Sequence, residues 1–357
     1  MPESETEHPA QSDITADSGR IAIWRARWDR FRRSPFLPAT ALVFILGAAA
    51  GLFAGSYTYI LANPTPHRIP VALVAEPAPS EPGAAFLTGM DRALDGSLHV
   101  LRYEDPGAAH EAVQAQQVFA IIDVRRADHV PVDVSGASGS SVAQAISEAA
   151  VTVGRQSATP VTVTDINPLQ RGDPRGLAIF YITLAAVIVG FVGAIQLSVH
   201  ARALNPLERV GYTVAYSILG GFVIAAVVDW WLGALRLPFV ESWFILALTM
   251  FTSGMIFTMF NTLFGRWAMI PTWGLMVLLG NPSSGGAVSW PLLPSVLGSI
   301  GRWLPPGASV NAQHTAVYFA DHQHLFPFLV LAAWAALSCT VFGIWRHRHP
   351  GGRDDDW

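Results

Sequence analysis

Asp229 is the one acidic side chain well inside an apolar run, VIAAVVDWWLGAL. A carboxylate at membrane depth is costly, so by default it marks a site for a proton or a cationic group. The alternative is structural: Asp229 lies beside Trp230 and Trp231 near the end of its run and pairs with Arg236. A second group is His314, His322 and His324 with Asp321, in AQHTAVYFADHQH. His-x-His beside an acid can ligate zinc; loop histidines at a membrane surface are otherwise solvated, and the expected assignment is no metal. A third is Asn281-Pro282-Ser283-Ser284-Gly285-Gly286, a polar break between two apolar runs. SGASGSS (135–141) resembles a phosphate-cradling turn, but serves equally as the capped start of a helix. NPLQRGDPRG (167–176) places Arg171, Asp173 and Arg175 just before a span, as a charged collar at the membrane surface. HExxH and GxSxG do not occur. The expectation is therefore no enzyme, no catalytic residue and no cofactor. A membrane path is expected instead, with Asp229, Asn261, Asn281, Ser283, Ser284, Gly285 and Gly286 as candidates to line it.

Composition agrees with that class. The chain has 357 residues, 13% of them charged, and a mean hydropathy of +0.37, values that fit a membrane protein with some soluble mass. Net charge is −4, which suggests no nucleic-acid partner. All 22 basic residues are arginine. Without lysine there is no standard P-loop and no Schiff-base nucleophile. Cys339 is the single cysteine, so no intrachain disulfide forms.

The elements that must position these residues follow from pattern. Residues 1–37 read as a disordered acidic tail followed by a basic amphipathic segment, in which Arg20 to Arg33 interleave with Trp24, Trp28 and Phe31. Residues 38–62 hold a first span without charge, with Gly47, Gly51 and Gly55 as a small-residue stripe. Residues 63–175 change character. Strands are expected at 68–76, 99–104, 118–124, 129–136 and 161–165, with helices at 84–94, 108–116 and 140–156 between them. Alternating strands and helices argue an α/β domain.

Residues 176–345 return to apolar runs: Leu177–Val199, Gly211–Leu235, Phe239–Phe264, a short run after Arg266, and Leu325–Trp345. The short run holds about 14 apolar residues, fewer than the roughly 20 that a crossing needs. A second run, Val288–Leu304, follows the break and is ended by Pro305-Pro306-Gly307. The fold class expected is an α-helical polytopic membrane protein. It has six transmembrane helices, a re-entrant or interfacial helix within a broken segment (281–307), and an inserted extracytoplasmic α/β domain. Residues 346–357 form a cytoplasmic tail.

Arginine placement orients the chain. Arg202, Arg209, Arg266 and Arg346–Arg348 all fall on one side if the N-terminus is cytoplasmic, which leaves 63–175 outside. Arg236 and Arg302 are the exceptions. The break then lies at the outer face. The run after it must return to that face, so it cannot be a full crossing.

This layout resembles the ABC-2-type membrane proteins, most closely their phage-infection-protein (YhgE/Pip-like) branch in its actinobacterial form. The residues that carry the resemblance are IPVALVAE, NPLQRGDPRG, LGNPSSGG and LLPSVLGSIGRWLPPGASVNAQHTAVYF. It implies a bacterial plasma-membrane location, pairing as a homodimer among membrane lipids, and Leu292–Leu304 as a helix that dips into the membrane from outside. It also implies that the 200–210 loop, with Arg202, Glu208 and Arg209, faces a separate ATP-binding subunit. The function expected is a permease-like subunit that exports amphipathic, lipidic or drug-like compounds. The alternative is a non-transporting surface protein that binds a partner, a cell-wall component or a phage through residues 63–175.

Overall fold

The alternating segment folds as read. Strands β1 (Ile69–Val74), β2 (Leu98–Tyr103), β3 (Ala120–Asp123), β4 (Val130–Val134) and β5 (Val161–Asp165) alternate with helices α2 (Glu81–Ala93), α3 (Pro106–Gln114) and α4 (Ser140–Gln156). In this computed structural model the described residues are 34, 36–62, 64–75, 79–126 and 128–349. The acidic tail, the Arg20–Arg33 segment and residues 350–357 lie outside them.

The sheet order is β2-β1-β3-β4-β5. Only β3 and β4 run antiparallel, with Ile121 opposite Asp133; the other pairs are parallel. Central β1 is an unbroken apolar run because both its faces are covered. Val71 and Leu73 face α2 and α4 through Phe86, Met90 and Ile146. Ala72 and Val74 face α3 through Ala109 and Val113. That is the two-residue period of a strand dividing one sequence between two cores. Helix starts are capped locally: Asp105 accepts from the N–H groups of Gly107 and Ala108, both at 3.1 Å.

The rest of the described residues are mainly helical. Among the described residues, five helices are long and apolar enough to cross a membrane. The first, α1 (Phe36–Leu61), begins in a unit that ends at Gly55, and everything from Ser56 onward belongs to a second unit. The others are α5 (Ala178–His200), α6 (Pro206–Ala226, continued by a π-helical turn Val227–Trp231), α7 (Phe239–Phe264, extended by a 3-10 turn to Trp267) and α11 (Phe326–Arg348). The third of these starts five residues before the expected Gly211. Asn205 and Pro206 set that start: the Glu208 carboxylate accepts from the Asn205 N–H at 2.9 Å, and proline fits the first helical turn. Arg209 is consequently part of a helix.

The sixth apolar helix, α8 (Met269–Trp273, continued by a π-helical segment to Gly280), is short. At 1.5 Å per residue it reaches only about 18 Å, well under a hydrocarbon core of about 30 Å. Two corrections follow it. Val288–Leu304 is not one helix but a 3-10 turn, Trp290–Leu292, and a short helix α9 (Ser295–Gly301). Pro305-Pro306-Gly307 does not end an element but opens helix α10 (Pro305–Tyr318). A proline pair lacks the N–H groups that a first turn leaves unpaired anyway, and Leu304 before it is extended, so the helix begins there without loss.

Helix α10 is buried along most of its length and threads between the long helices. Polar side chains hold it. Thr249 donates to Ser309 Oγ at 2.7 Å, and Gln313 Nε2 donates to the Ser242 carbonyl at 2.8 Å. Behind it, Ser253 donates to the Val187 carbonyl at 2.7 Å and Tyr216 to the Gly190 carbonyl at 2.7 Å. Hydrogen bonds of this kind, with small residues at close approach, are how helices adhere when lipid removes the hydrophobic drive between them.

Candidate functional site

The stretch from α8 to α10 meets the α/β domain through a peg. Leu292 is 4% exposed and belongs to the domain's own core, with Val288 packed beside it. Around the peg, Ser141 Oγ accepts from the Ser289 N–H at 3.1 Å, and the His67 N–H donates to the Pro291 carbonyl at 2.7 Å. The collar makes a second tie. Gln170 exchanges two hydrogen bonds with the Arg236 backbone, at 2.7 and 3.1 Å. Buried Asp173 accepts from the N–H groups of Leu177 and Ala178, capping α5 as an anion at a helix start.

Between domain and helices lies a cavity of about 760 Å³. Ligand sites commonly enclose about 300–1,000 Å³. Its walls divide by chemistry. Phe119, Trp290, Trp303 and Phe326 give an aromatic side. Gln116, Ser138 and Asn311 give a polar side, shared with a smaller adjoining hollow of about 50 Å³ that reaches Gly285, Gly286 and His314. Arg302 stands over the Trp290 ring, its guanidinium carbon 4.8 Å from the centroid. Such a pair presents a cation and a flat apolar face together. Asn311 Oδ1 is buried without a hydrogen-bond partner. An orphan acceptor on a cavity wall is a place for a ligand donor or a water.

The backbone around this cavity is under constraint. Gln116 (φ +55°) and Arg68 (φ +47°), both on its wall, hold left-handed conformations that side chains disfavour. Gln116 follows the end of α3, where such a turn is common but normally falls to glycine; its Nε2 is 3.5 Å from Thr315 Oγ1. Gly301 and Gly307 allow three backbone segments to touch. A Cβ on Gly301 would strike the Ser283 carbonyl, and one on Gly307 the Gly301 carbonyl.

The residues expected to line a path scatter over three places. Gly285 and Gly286 border the smaller hollow, with Gly285 at φ +82° against the Trp290 ring. Asn281, Ser283 and Ser284 are 2%, 0% and 1% exposed, so the break is buried rather than presented at a surface. Ser283 Oγ donates to the Leu279 carbonyl at 2.6 Å, and Ser284 Oγ accepts from the Gly286 N–H at 3.3 Å. Asn261 lines a different pocket, with Arg202 and Arg209, at the helix ends away from the domain. Asp229 sits on the π-helical turn that ends the third span and lines none of these cavities.

Several expectations are corrected. The Asp229–Arg236 ion pair does not form; the ion pairs among the described residues are Arg125–Asp123 and His322–Glu111. The histidines do not converge: His322 Nε2 meets Glu111 at 2.7 Å, His324 borders the large cavity and His314 the smaller one. His314 belongs to α10 rather than to a solvated loop. Its burial lowers its pKa to about 4 against the opposing pull of Asp173, so it is neutral at pH 7. In the turn at 135–141 the Gly136 N–H is already engaged, donating to the Asp165 carboxylate at 3.0 Å, and the segment opens helix α4.

No protein-family model matches the chain, and no curated protein matches it. The site therefore rests on its own geometry. The sequence reading missed Trp290, Trp303, Gln116 and Asn311. Arg302 did carry a signal, since it broke the arginine pattern that oriented the other loops.

Proposed function

We propose that this chain is a permease-like subunit of a bacterial plasma membrane that exports amphipathic, lipidic or drug-like compounds. The observation that carries the reading is the cavity of about 760 Å³ between the α/β domain and the α8–α10 stretch. Its aromatic wall suits an apolar body. Arg302, Gln116 and Asn311 suit a polar or anionic head. In this reading α1, α5, α6, α7 and α11 are full crossings, the short α8 with the break after it supplies the sixth, and α9 and α10 are the re-entrant part. Irregular backbone at that depth is tolerated because protein surrounds it. Both termini are cytoplasmic and residues 63–175 are outside.

The resemblance to ABC-2-type permeases supports pairing of two such units and energy supplied by a separate ATP-binding subunit. The chain's lack of lysine fits a partner of that kind, since a standard P-loop needs one. Asp229 remains a candidate for proton coupling, because it sits in a membrane helix without an ion-pair partner among the described residues.

The test is efflux of a panel of amphipathic compounds from cells with and without the gene, then with Trp290→Ala and Arg302→Gln. Export is expected to fall at least about tenfold in each variant while the protein stays folded in the membrane. If both variants export as the parent does, and only deletions within 63–175 have a phenotype, the surface-protein reading replaces this one.

A further inference from the structure

Helix α9 turns its two sides the opposite way from a helix in water. Ser295, Gly298, Ser299 and Arg302, spaced i, i+3, i+4 and i+7, line the large cavity. Val296 and Ile300 lie on the other side of the turn, line no cavity and are exposed. A surface helix in water hides its apolar stripe and shows its polar one. With the small and polar stripe inside and the apolar stripe outside, α9 suits a wall whose outer neighbour is lipid. The apolar surface continues past the rim. Trp303 meets Phe326 at the start of α11, ring centroids 4.9 Å apart, and both rings are exposed, as are Leu325 and Leu329.

We infer that the large cavity takes an anionic phospholipid, which enters sideways past α9 from the leaflet on the domain's side. Its head lies toward Arg68 and Arg302, and its chains pass over Trp303 and Phe326 into the bilayer. The two arginines reach the cavity from different bodies, Arg68 from the start of β1 and Arg302 from the end of α9. A guanidinium held by its face against a ring, as Arg302 is on Trp290, keeps its N–H edge for an oxyanion. Arg68 sits at its left-handed φ between two backbone hydrogen bonds of 2.7 Å, from the His67 N–H to the Pro291 carbonyl and from the Ile69 N–H to the Ser97 carbonyl. Strain that the surroundings hold in place on both sides is found where a side chain must be aimed. The described lining residues include no Asp or Glu, so a cationic amphiphile finds no counter-charge there. This occupancy presupposes the reading above, that the cavity is the ligand site of a membrane protein. For export it means that the last step lifts a lipid out of the leaflet on the domain's side.

The experiment places the full chain in phosphatidylcholine liposomes that carry a trace of phosphatidylglycerol or of phosphatidylcholine with a photoreactive diazirine high on one acyl chain. Adducts are mapped by peptide mass spectrometry. The phosphatidylglycerol probe is expected to label residues 116–119 and 290–303 about fivefold or more above the phosphatidylcholine probe. Arg302→Gln is expected to lower that excess about fivefold, Arg68→Gln with it to remove the excess, and Arg266→Gln, outside the cavity, to leave it unchanged. Should the double variant fail to fold, Arg302→Gln alone, at an exposed position, carries the test. Ser299 is exposed on the rim and its hydroxyl donates to the Ser295 carbonyl within α9. Ser299→Trp narrows the entrance without touching a charge, so labelling of 116–119 should fall while Val296 and Ile300 on the lipid side stay labelled. Equal labelling by the two probes, an excess unchanged in the arginine variants, or 116–119 labelled as before in Ser299→Trp overturns the inference. The efflux test above reads separately: export lost in Trp290→Ala with equal labelling leaves the export reading standing without this lipid, and the expected labelling with export unchanged leaves the lipid site standing without export.

Discussion

The α/β domain and the α8–α10 stretch touch at Leu292, yet they treat polar groups in opposite ways. In the domain the buried polar side chains described are paired: Ser97 donates to the Pro66 carbonyl, and the Ser135 and Ser138 hydroxyls share a hydrogen bond. Among the described residues the orphaned buried side-chain atoms fall among the helices after residue 176, and four belong to one stretch: Asn281, Asn311, Gln313 and Tyr318. An unpaired buried group costs about 1–3 kcal/mol, so a stretch that keeps several is held by something other than its own bonding. Here that is the close backbone stacking at Gly301 and Gly307, and the peg into the domain. The domain is therefore the rigid reference. The stretch beneath it retains unmet hydrogen-bonding capacity for water, for a ligand or for a second arrangement.

The sharpest way to break this contrast is Gly301→Ala. A single methyl group would meet the Ser283 carbonyl, and backbone cannot step aside as a side chain does. The expected cost is about 3 kcal/mol or more, read as loss of folded protein in membranes. Gly96 is the domain control. It has φ +70° with open space around it, so Gly96→Ala carries only conformational strain, about 1 kcal/mol, and leaves yield intact. Similar losses for the two glycines would mean that the stretch is no more tightly stacked than a surface turn.

Leu292→Ala tests the peg and ranks next. Leucine-to-alanine changes in cores cost about 2–5 kcal/mol. The loss is expected to appear as faster hydrogen exchange in α2 and α4 as well as in residues 288–304, because Leu292 belongs to the stretch by chain and to the domain by packing. Exchange rising only in 288–304 would mean that the domain's core is complete without it.

The two regions also differ in how far the sequence disclosed them. In the domain, each strand and helix emerged from alternation and turn residues, and α4 was placed to the residue at Ser140–Gln156. Its core is made by neighbours in sequence, so local pattern suffices. The length anomaly after Arg266 was equally legible. Its resolution was not, because Pro305-Pro306-Gly307 can open or close a helix and only the packing of α10 on α7 and α11 decides which. The large cavity was beyond reach for a further reason: it joins His67 and Gln116 to Trp290 and Asn311, residues about two hundred positions apart. Apart from Arg302, none of them stands out by type or spacing. Asp229 did stand out, and it lies in none of the cavities.

Acid gives the smallest and most discriminating test. His314 in α10 has its pKa lowered to about 4 by burial, whereas the unfolded chain takes up that proton near 6.5. As pH falls below 6.5 the unfolded state binds a proton that the folded state refuses, so stability drops until about pH 4 and then levels off. Between pH 7.5 and 5.5 the expected loss is about 1.4 kcal/mol, local to the stretch, and His314→Gln abolishes it. The domain responds in another window. The Arg125 guanidinium beside Asp123 holds that carboxyl below the usual range, so its contribution is present above about pH 4 and fades only as pH falls through the lowered value. Hydrogen exchange at pH 7.5 and 5.5 should therefore show residues 305–318 loosening while β1 and β3 stay protected. Loosening of both together at pH 5.5, unchanged by His314→Gln, would mean that domain and stretch open as one unit and that the contrast between them has no thermodynamic counterpart.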